Sequence, residues 1–241
     1  MTGYLVWVAI AFTVEAALAS VMIFAPFCRE EKNRLAVKCV CSGWFILIGI
    51  AATLCSGKFS AYALLVLLGL AASFWGDFFL QLENQEKYFV VGVFCFMAAH
   101  ILYIAAFSRA AAVLFPGRPF LSFRQAAALA VMIAALLVMV TAAKLKLGKL
   151  FVPGMLYLAA ISLMFVKAVS LGIFAFGTLP AITGTAALLT LCAGALLFVI
   201  SDIVLVFMVF CGKDTLRMTA VNLYTYFIAQ ALLASSIYLL A

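Results

Sequence analysis

The sequence predicts an all-α fold: a polytopic membrane helical bundle of about eight transmembrane helices, with residues 1–241 forming one helical domain. Three observations predict it. Of 241 residues, 69% are hydrophobic and 10% charged, where soluble domains average about 45–50% apolar and about 25% charged residues. With a mean hydropathy of +1.31, the chain has too little polar surface to cover itself in water. Second, the apolar residues fall in runs of about the 20 residues that carry a helix across the hydrocarbon core. Third, the runs lack the alternation of a membrane barrel strand. Backbone groups in lipid must be paired within the spanning structure, so helices remain.

The first run covers residues 3–27. Its Ala17-Leu18-Ala19 has the small-residue form of a signal-peptidase site. No Lys or Arg precedes the run, however, Glu15 interrupts it and apolar sequence continues to Phe27, so it reads as a retained span. The cluster Arg29 to Arg34 forms the first loop. Runs at 35–55 and 59–82 follow, parted by Ser56-Gly57-Lys58. A polar break beginning at Glu83 precedes the run 89–108, and Pro116-Gly117-Arg118-Pro119 separates that run from 123–143. The remaining runs are 151–176, 181–210 and 218–241.

Counted by loop, ten Lys and Arg fall in the odd-numbered loops, with Lys38 at the membrane edge, against four in the even loops and termini. The positive-inside rule therefore places the odd loops in the cytoplasm and both termini outside, in the inner membrane if the source is bacterial. The net charge of +7 reads as topology signal and implies no nucleic acid. Seven cysteines without a CxxC spacing read as reduced thiols, and a single histidine excludes a multi-histidine metal site. Gly76-Asp77 and Ser201-Asp202 occupy similar places in spans three and seven, an echo too short to establish a duplication.

Ionisable residues within spans are costly and are functional candidates by default. Here they are Glu15, Asp77, His100, Lys167 and Asp202, with Lys38 near the start of a span. At about 1.5 Å per residue, Asp77 lies roughly 9 Å from the loop at Glu83 and Asp202 about 15 Å from Lys213. Both belong to the cytoplasmic half, as do Lys38, Tyr157 and Tyr226, with His100 and Gln230 nearer the midplane. Ser73, Asp77 and Gln81 share one helical face, and so do Tyr226 and Gln230. Each candidate also has a structural reading. The aspartates can pair with Lys38 or Lys167, His100 can bridge helices by hydrogen bonds, Glu15 reads as structural, and Lys167, in the outer half, can pair or snorkel.

Lys38-Cys39-Val40, Ser73-Phe74-Trp75-Gly76-Asp77, Ala99-His100-Ile101-Leu102-Tyr103, the segment Gly194 to Asp202 (GALLFVISD) and Tyr226-Phe227-Ile228-Ala229-Gln230 form an ordered set. In that set the chain resembles the YhhN family of multi-pass membrane proteins, whose animal members are lysoplasmalogenases. The resemblance runs from about Lys38 to Gln230. The chain departs from it where the family often has Lys-Pro (here Lys38-Cys39) and Tyr-Tyr (here Tyr226-Phe227). The resemblance implies cleavage of the vinyl ether bond of a lysoplasmalogen to a fatty aldehyde and a glycerophospho-ethanolamine or -choline, with Asp77 and Asp202 as the catalytic pair and no cofactor.

That reaction needs acid catalysis. Protonation of the vinyl ether β-carbon gives an oxocarbenium ion, which water traps as a hemiacetal. Two carboxyl groups can divide the work, as in glycosidases. The deeper Asp202 is assigned as acid and Asp77 as the water-orienting carboxylate. Lys38 suits the substrate phosphate, and Tyr157, Tyr226, Gln230 and His100 suit water or the glycerol hydroxyls. The expected partners are a vinyl ether lysophospholipid and membrane lipids. Two other classes fit the same residues: a proton-coupled transporter or lipid flippase using the carboxylates, and a retinal-type photoreceptor using Lys167. A scaffold would leave the aspartates as ion pairs only.

Overall fold

The computed structural model describes residues 2–82, 86–145, 148–212 and 214–241. Glu83 and Lys213, the loop markers used above for depth, and Lys146 of the fifth loop lie outside the described residues. Among those described are eight α-helices: α1 (Thr2–Phe24), α2 (Glu31–Ser56), α3 (Ala61–Gln81), α4 (Glu86–Leu114), α5 (Phe123–Ala142), α6 (Phe151–Thr178), α7 (Ala181–Cys211) and α8 (Leu216–Leu240). All eight are long and apolar enough to cross a membrane, and the chain is an integral, multi-pass membrane protein.

The helix ends follow local chemistry. Ser60 caps α3 by accepting from Ala63 N, Thr215 caps α8 by accepting from Met218 N, and Ser122 with Gln125 closes a capping box on α5. Helices α2 and α7 stop at Gly57 and Gly212, with φ of 68° and 60°, the left-handed geometry that glycine adopts without strain. Several boundaries differ from the apolar runs. Helix α2 begins at Glu31, so most of the Arg29–Arg34 cluster read as the first loop is helical, and α4 begins at Glu86 rather than 89. Helix α1 ends at Phe24 rather than Phe27, because Pro26 disfavours helical geometry in the residue before it. Helix α4 continues past Ser108-Arg109 to Leu114. Ala110 to Ala112 are strong helix formers, and the first real breaker is Pro116.

Six helices close a ring in which α2 packs on α3, α3 on α4, α4 on α6, α6 on α7, α7 on α8, and α8 back on α2. Helix α1 lies outside, against α2 and α8. Helix α5 lies outside against α6 and has no buried residue. Apolar side chains such as Phe45, Leu70, Phe107, Met164, Phe198 and Phe227 fill the interior. Lipid offers no hydrophobic gain for helix association, so close packing and interhelical hydrogen bonds hold such bundles. Here Trp44 Nε1 donates to Ala11 O at 3.1 Å, Ser20 and Tyr224 share a 2.6 Å hydroxyl bond, Tyr62 and Ser236 share another, and Asn222 Nδ2 donates to Ser201 O at 2.8 Å.

Candidate active site

Helix α3 carries Asp77 four residues before its last residue, and α7 carries Asp202 nine residues before its own. That places them about 6 Å and about 14 Å from the same end of the bundle. The two carboxylates have different surroundings.

Asp77 is 3% exposed. Its Oδ1 lies 3.3 Å from Lys38 Nζ, and its Oδ2 accepts hydrogen bonds from Ser42 Oγ and Tyr226 OH, each at 2.6 Å. Lys38 and Ser42 are four residues apart on α2 and therefore share the face turned to α3. A buried carboxylate is tolerated when a cation and hydrogen-bond donors replace its water. Here α2 supplies the cation and one donor, and α8 supplies the second donor. Deeper along α8, Gln230 Oε1 accepts from Tyr103 OH at 2.7 Å, while the Gln230 side chain also faces the Tyr226 hydroxyl.

Asp202 is more open, with 14% of its side chain exposed. Its Oδ2 accepts from Tyr157 OH at 2.6 Å, and His100 Nε2 stands 3.0 Å from the Tyr157 oxygen and 3.5 Å from Asp202 Oδ2. Because the tyrosine proton goes to Asp202, the hydrogen bond between His100 and Tyr157 requires a proton on Nε2, which assigns the tautomer. His100 Nδ1 has no partner among the described residues.

The two clusters meet across aromatic rings. Phe198 lies 4.8 Å from the His100 ring and 5.7 Å from the Tyr226 ring, centroid to centroid, and Phe96 lies 5.8 Å from Tyr226. Gly76, next to Asp77, makes room for Phe96, since a Cβ there would stand 2.7 Å from its ring. A cavity of about 150 Å³ opens on the Asp202 side. Asp202 and Tyr157 give it a polar wall; Phe96, Ile161 and Val199 line it from α4, α6 and α7, and Met139 closes it from α5. Lys38, Asp77 and Tyr226 are not part of that lining.

All seven residues singled out from the sequence thus fall into two adjoining groups. Lys38, Asp77, Tyr226 and Gln230 form one; His100, Tyr157 and Asp202 form the other. Lys167 joins neither. Its ammonium binds the Phe120 carbonyl on the far side of the bundle, which leaves a Schiff-base lysine there without an aspartate counter-ion. Glu15 is fully buried beside Cys41, within electrostatic reach of Asp77, and neither of its oxygens has a hydrogen-bond partner among the described residues. Sequence reasoning missed Ser42, although its spacing from Lys38 was a usable signal, and it missed Phe96 and Phe198, which look like ordinary lipid-facing phenylalanines.

An apolar cavity with a carboxyl and a phenol on one wall, the phenol backed by the His100 imidazole, can take an acyl or alkenyl chain and exchange a proton with a bond near its polar end. Neither a curated protein nor a solved structure shows a match to the chain. The model of the YhhN family, however, matches residues 33–237, from the start of α2 almost to the end of α8 and so across every residue of both clusters; the chain belongs to the YhhN family.

Proposed function

We propose that the chain is a membrane hydrolase that cleaves the vinyl ether bond of lysoplasmalogen-like lipids. The observation that carries this reading is the position of Asp202, hydrogen-bonded by Tyr157 on the wall of an otherwise apolar cavity. A lipid chain occupying that cavity would bring its enol ether, the first polar group from the chain end, to the carboxyl.

In the proposed reaction Asp202 gives its proton to the β-carbon of the vinyl ether. The oxocarbenium ion that forms takes up water at its α-carbon, and the resulting hemiacetal collapses to a fatty aldehyde and a free glycerol hydroxyl. One water is consumed. Tyr157 and His100 orient the carboxyl and return a proton to it. Asp77, held with Lys38, Ser42 and Tyr226, orients the water, with Gln230 steadying Tyr226. Lys38 uses one of its three N–H donors on Asp77, leaving two for the phosphate of an ethanolamine or choline head group. No step requires a cofactor.

The test is mass spectrometry of the purified protein incubated with a lysoplasmalogen and, separately, with the matched acyl lysophospholipid, for wild type and for Asp202→Asn and Asp77→Asn. The expected outcome is aldehyde from the vinyl ether alone, lost by about 10²-fold or more in Asp202→Asn with the protein still folded. Fatty acid from the acyl lipid would assign an ester bond instead. Lipid that crosses proteoliposomes unchanged would replace the hydrolase by a transporter.

A further inference from the structure

A second and larger cavity, of about 510 Å³, lies toward the opposite end of the bundle from the aspartates. It is enclosed by the end of α4, the connection of residues 115–122, the start of α5 and the second half of α6. Its polar lining is Arg118, Lys167, Ser108, Ser122, Ser170 and Gln125. The lining has two cations and no carboxylate.

The sequence explains the imbalance. No Asp or Glu occurs between Glu86 and Asp202, an interval that contains Lys87, Arg109, Arg118, Arg124, Lys144, Lys146, Lys149 and Lys167. Glu86 stands at the far end of α4, 22 residues or about 33 Å of helix from Ser108. The walls of this cavity therefore cannot neutralise it.

Lys167 is the costly member. It is 6% exposed in the middle of a membrane helix, and its only hydrogen-bond partner among the described residues is the Phe120 carbonyl, beneath whose side chain ring it sits 3.7 Å from the centroid. A buried ammonium satisfied by one neutral carbonyl retains most of its desolvation cost. Loop backbone reaching such a depth is tolerated where it lines a polar cavity. Arg118 is poised rather than paired, its guanidinium 4.0 Å from the Phe174 ring centroid and 5.5 Å from that of Phe115. Other donors are spare. Ser108 Oγ is buried without a partner among the described residues, and Gln125, whose Oε1 accepts from Ser122 N, still has its amide hydrogens.

We propose that this cavity binds a phosphate group, held by Arg118 and Lys167 and completed by the Ser108 hydroxyl and the Gln125 amide. A planar guanidinium fork, a point-charge ammonium and surplus neutral donors facing one space match a tetrahedral oxyanion, which offers acceptors in several directions. The site is separate from the aspartate clusters and does not rest on the proposed hydrolysis. Its phosphate comes from a lipid head group or from free phosphate.

The experiment titrates the full chain in a maltoside detergent, at constant ionic strength, with a single-chain phosphatidylglycerol, with inorganic phosphate and with a neutral monoacylglycerol, and follows the unfolding midpoint. A ligand that binds the folded state raises the midpoint with its concentration over Kd. The expected result is saturable stabilisation by one or both phosphate compounds, weakened about tenfold or more by Arg118→Gln and by Lys167→Gln. Arg124→Gln, outside the cavity, and Asp202→Asn leave it unchanged. A response to the lipid alone identifies a head group; a response to inorganic phosphate identifies a free anion. Equal stabilisation by the monoacylglycerol, no stabilisation by either phosphate compound, or a wild-type response in Arg118→Gln overturns the proposal. Arg118 is exposed in a loop, so that variant decides the matter even where Lys167→Gln fails to fold.

Discussion

Replacing Lys38 by Met tests whether the ion pair with Asp77 holds the ring together. The side chains of Lys38 and Asp77 are 11% and 4% exposed and their atoms stand 3.3 Å apart, so removing the cation strands a buried charge with only the Ser42 and Tyr226 hydroxyls. Breaking such a pair from one side costs about 3–5 kcal/mol. At about 2–4 °C per kcal/mol for a chain of this size, the unfolding midpoint in detergent falls by roughly 6–20 °C. Asp77→Asn costs less, about 1–2 kcal/mol. The amide oxygen still accepts from both hydroxyls, and Lys38, about 10 Å from the start of α2, can extend toward the polar boundary. The double variant Lys38→Met/Asp77→Asn recovers much of the loss, with a coupling on the order of 2 kcal/mol. The assay is thermal unfolding of the four proteins in one detergent at one pH. Additive single effects, or a Lys38→Met protein as stable as wild type, would refute the reasoning.

Three further outcomes follow from the packing. Tyr226→Phe removes one of two donors to Asp77 Oδ2 and lowers stability by about 1.5–3 kcal/mol, measured by the same unfolding assay; no change would mean that water replaces the hydroxyl. Gly184→Ala drives a Cβ to 2.8 Å from the Ala175 backbone oxygen on α6, where nothing can yield, and costs about 1–3 kcal/mol, whereas Gly43→Ala meets nothing within 4 Å and is neutral or stabilising by up to about 1 kcal/mol; the first midpoint should fall and the second should not. Glu15→Met replaces a fully buried carboxyl whose oxygens lack partners among the described residues, and raises the midpoint by the equivalent of about 1–3 kcal/mol; a loss of stability would place an unseen donor at Glu15.

The eight spans were legible because a helix in lipid must be long and apolar, a requirement each run meets on its own. The shared end of the site was legible for a similar reason: counting residues from helix ends fixes depth, so Lys38, Asp77, Tyr157, Asp202 and Tyr226 could be placed together without knowing their neighbours. What depth does not give is azimuth. Nothing in one sequence says that α3 touches α8, so neither the Tyr226 bond to Asp77 nor the division of the site by Phe96 and Phe198 could be read. Hydrophobic periodicity fails here as well, since lipid-facing and core-facing residues are equally apolar. Helix α5, which buries nothing, looks in sequence like any other span. The pairing choices left open for the aspartates needed three dimensions too: Lys38 meets Asp77, while Lys167 meets a loop carbonyl.

The ring closes between α2 and α8, the first and last of its members to leave the ribosome, and this orders the assembly of the Asp77 cage in time. Lys38 and Ser42 are synthesised before Asp77, so α2 and α3 can enter the bilayer as a hairpin with the carboxylate already neutralised. Tyr226 comes 149 residues after Asp77, which at about 5–20 residues per second is a delay of roughly 7–30 s. Throughout that interval the nascent protein holds Asp77 by one hydroxyl and one ammonium, and the gap reserved for α8 stays open to lipid. A chain interrupted before α8 therefore presents the membrane quality-control machinery with an incomplete ring and a half-coordinated charge, a signal that is lost only once α8 closes the ring.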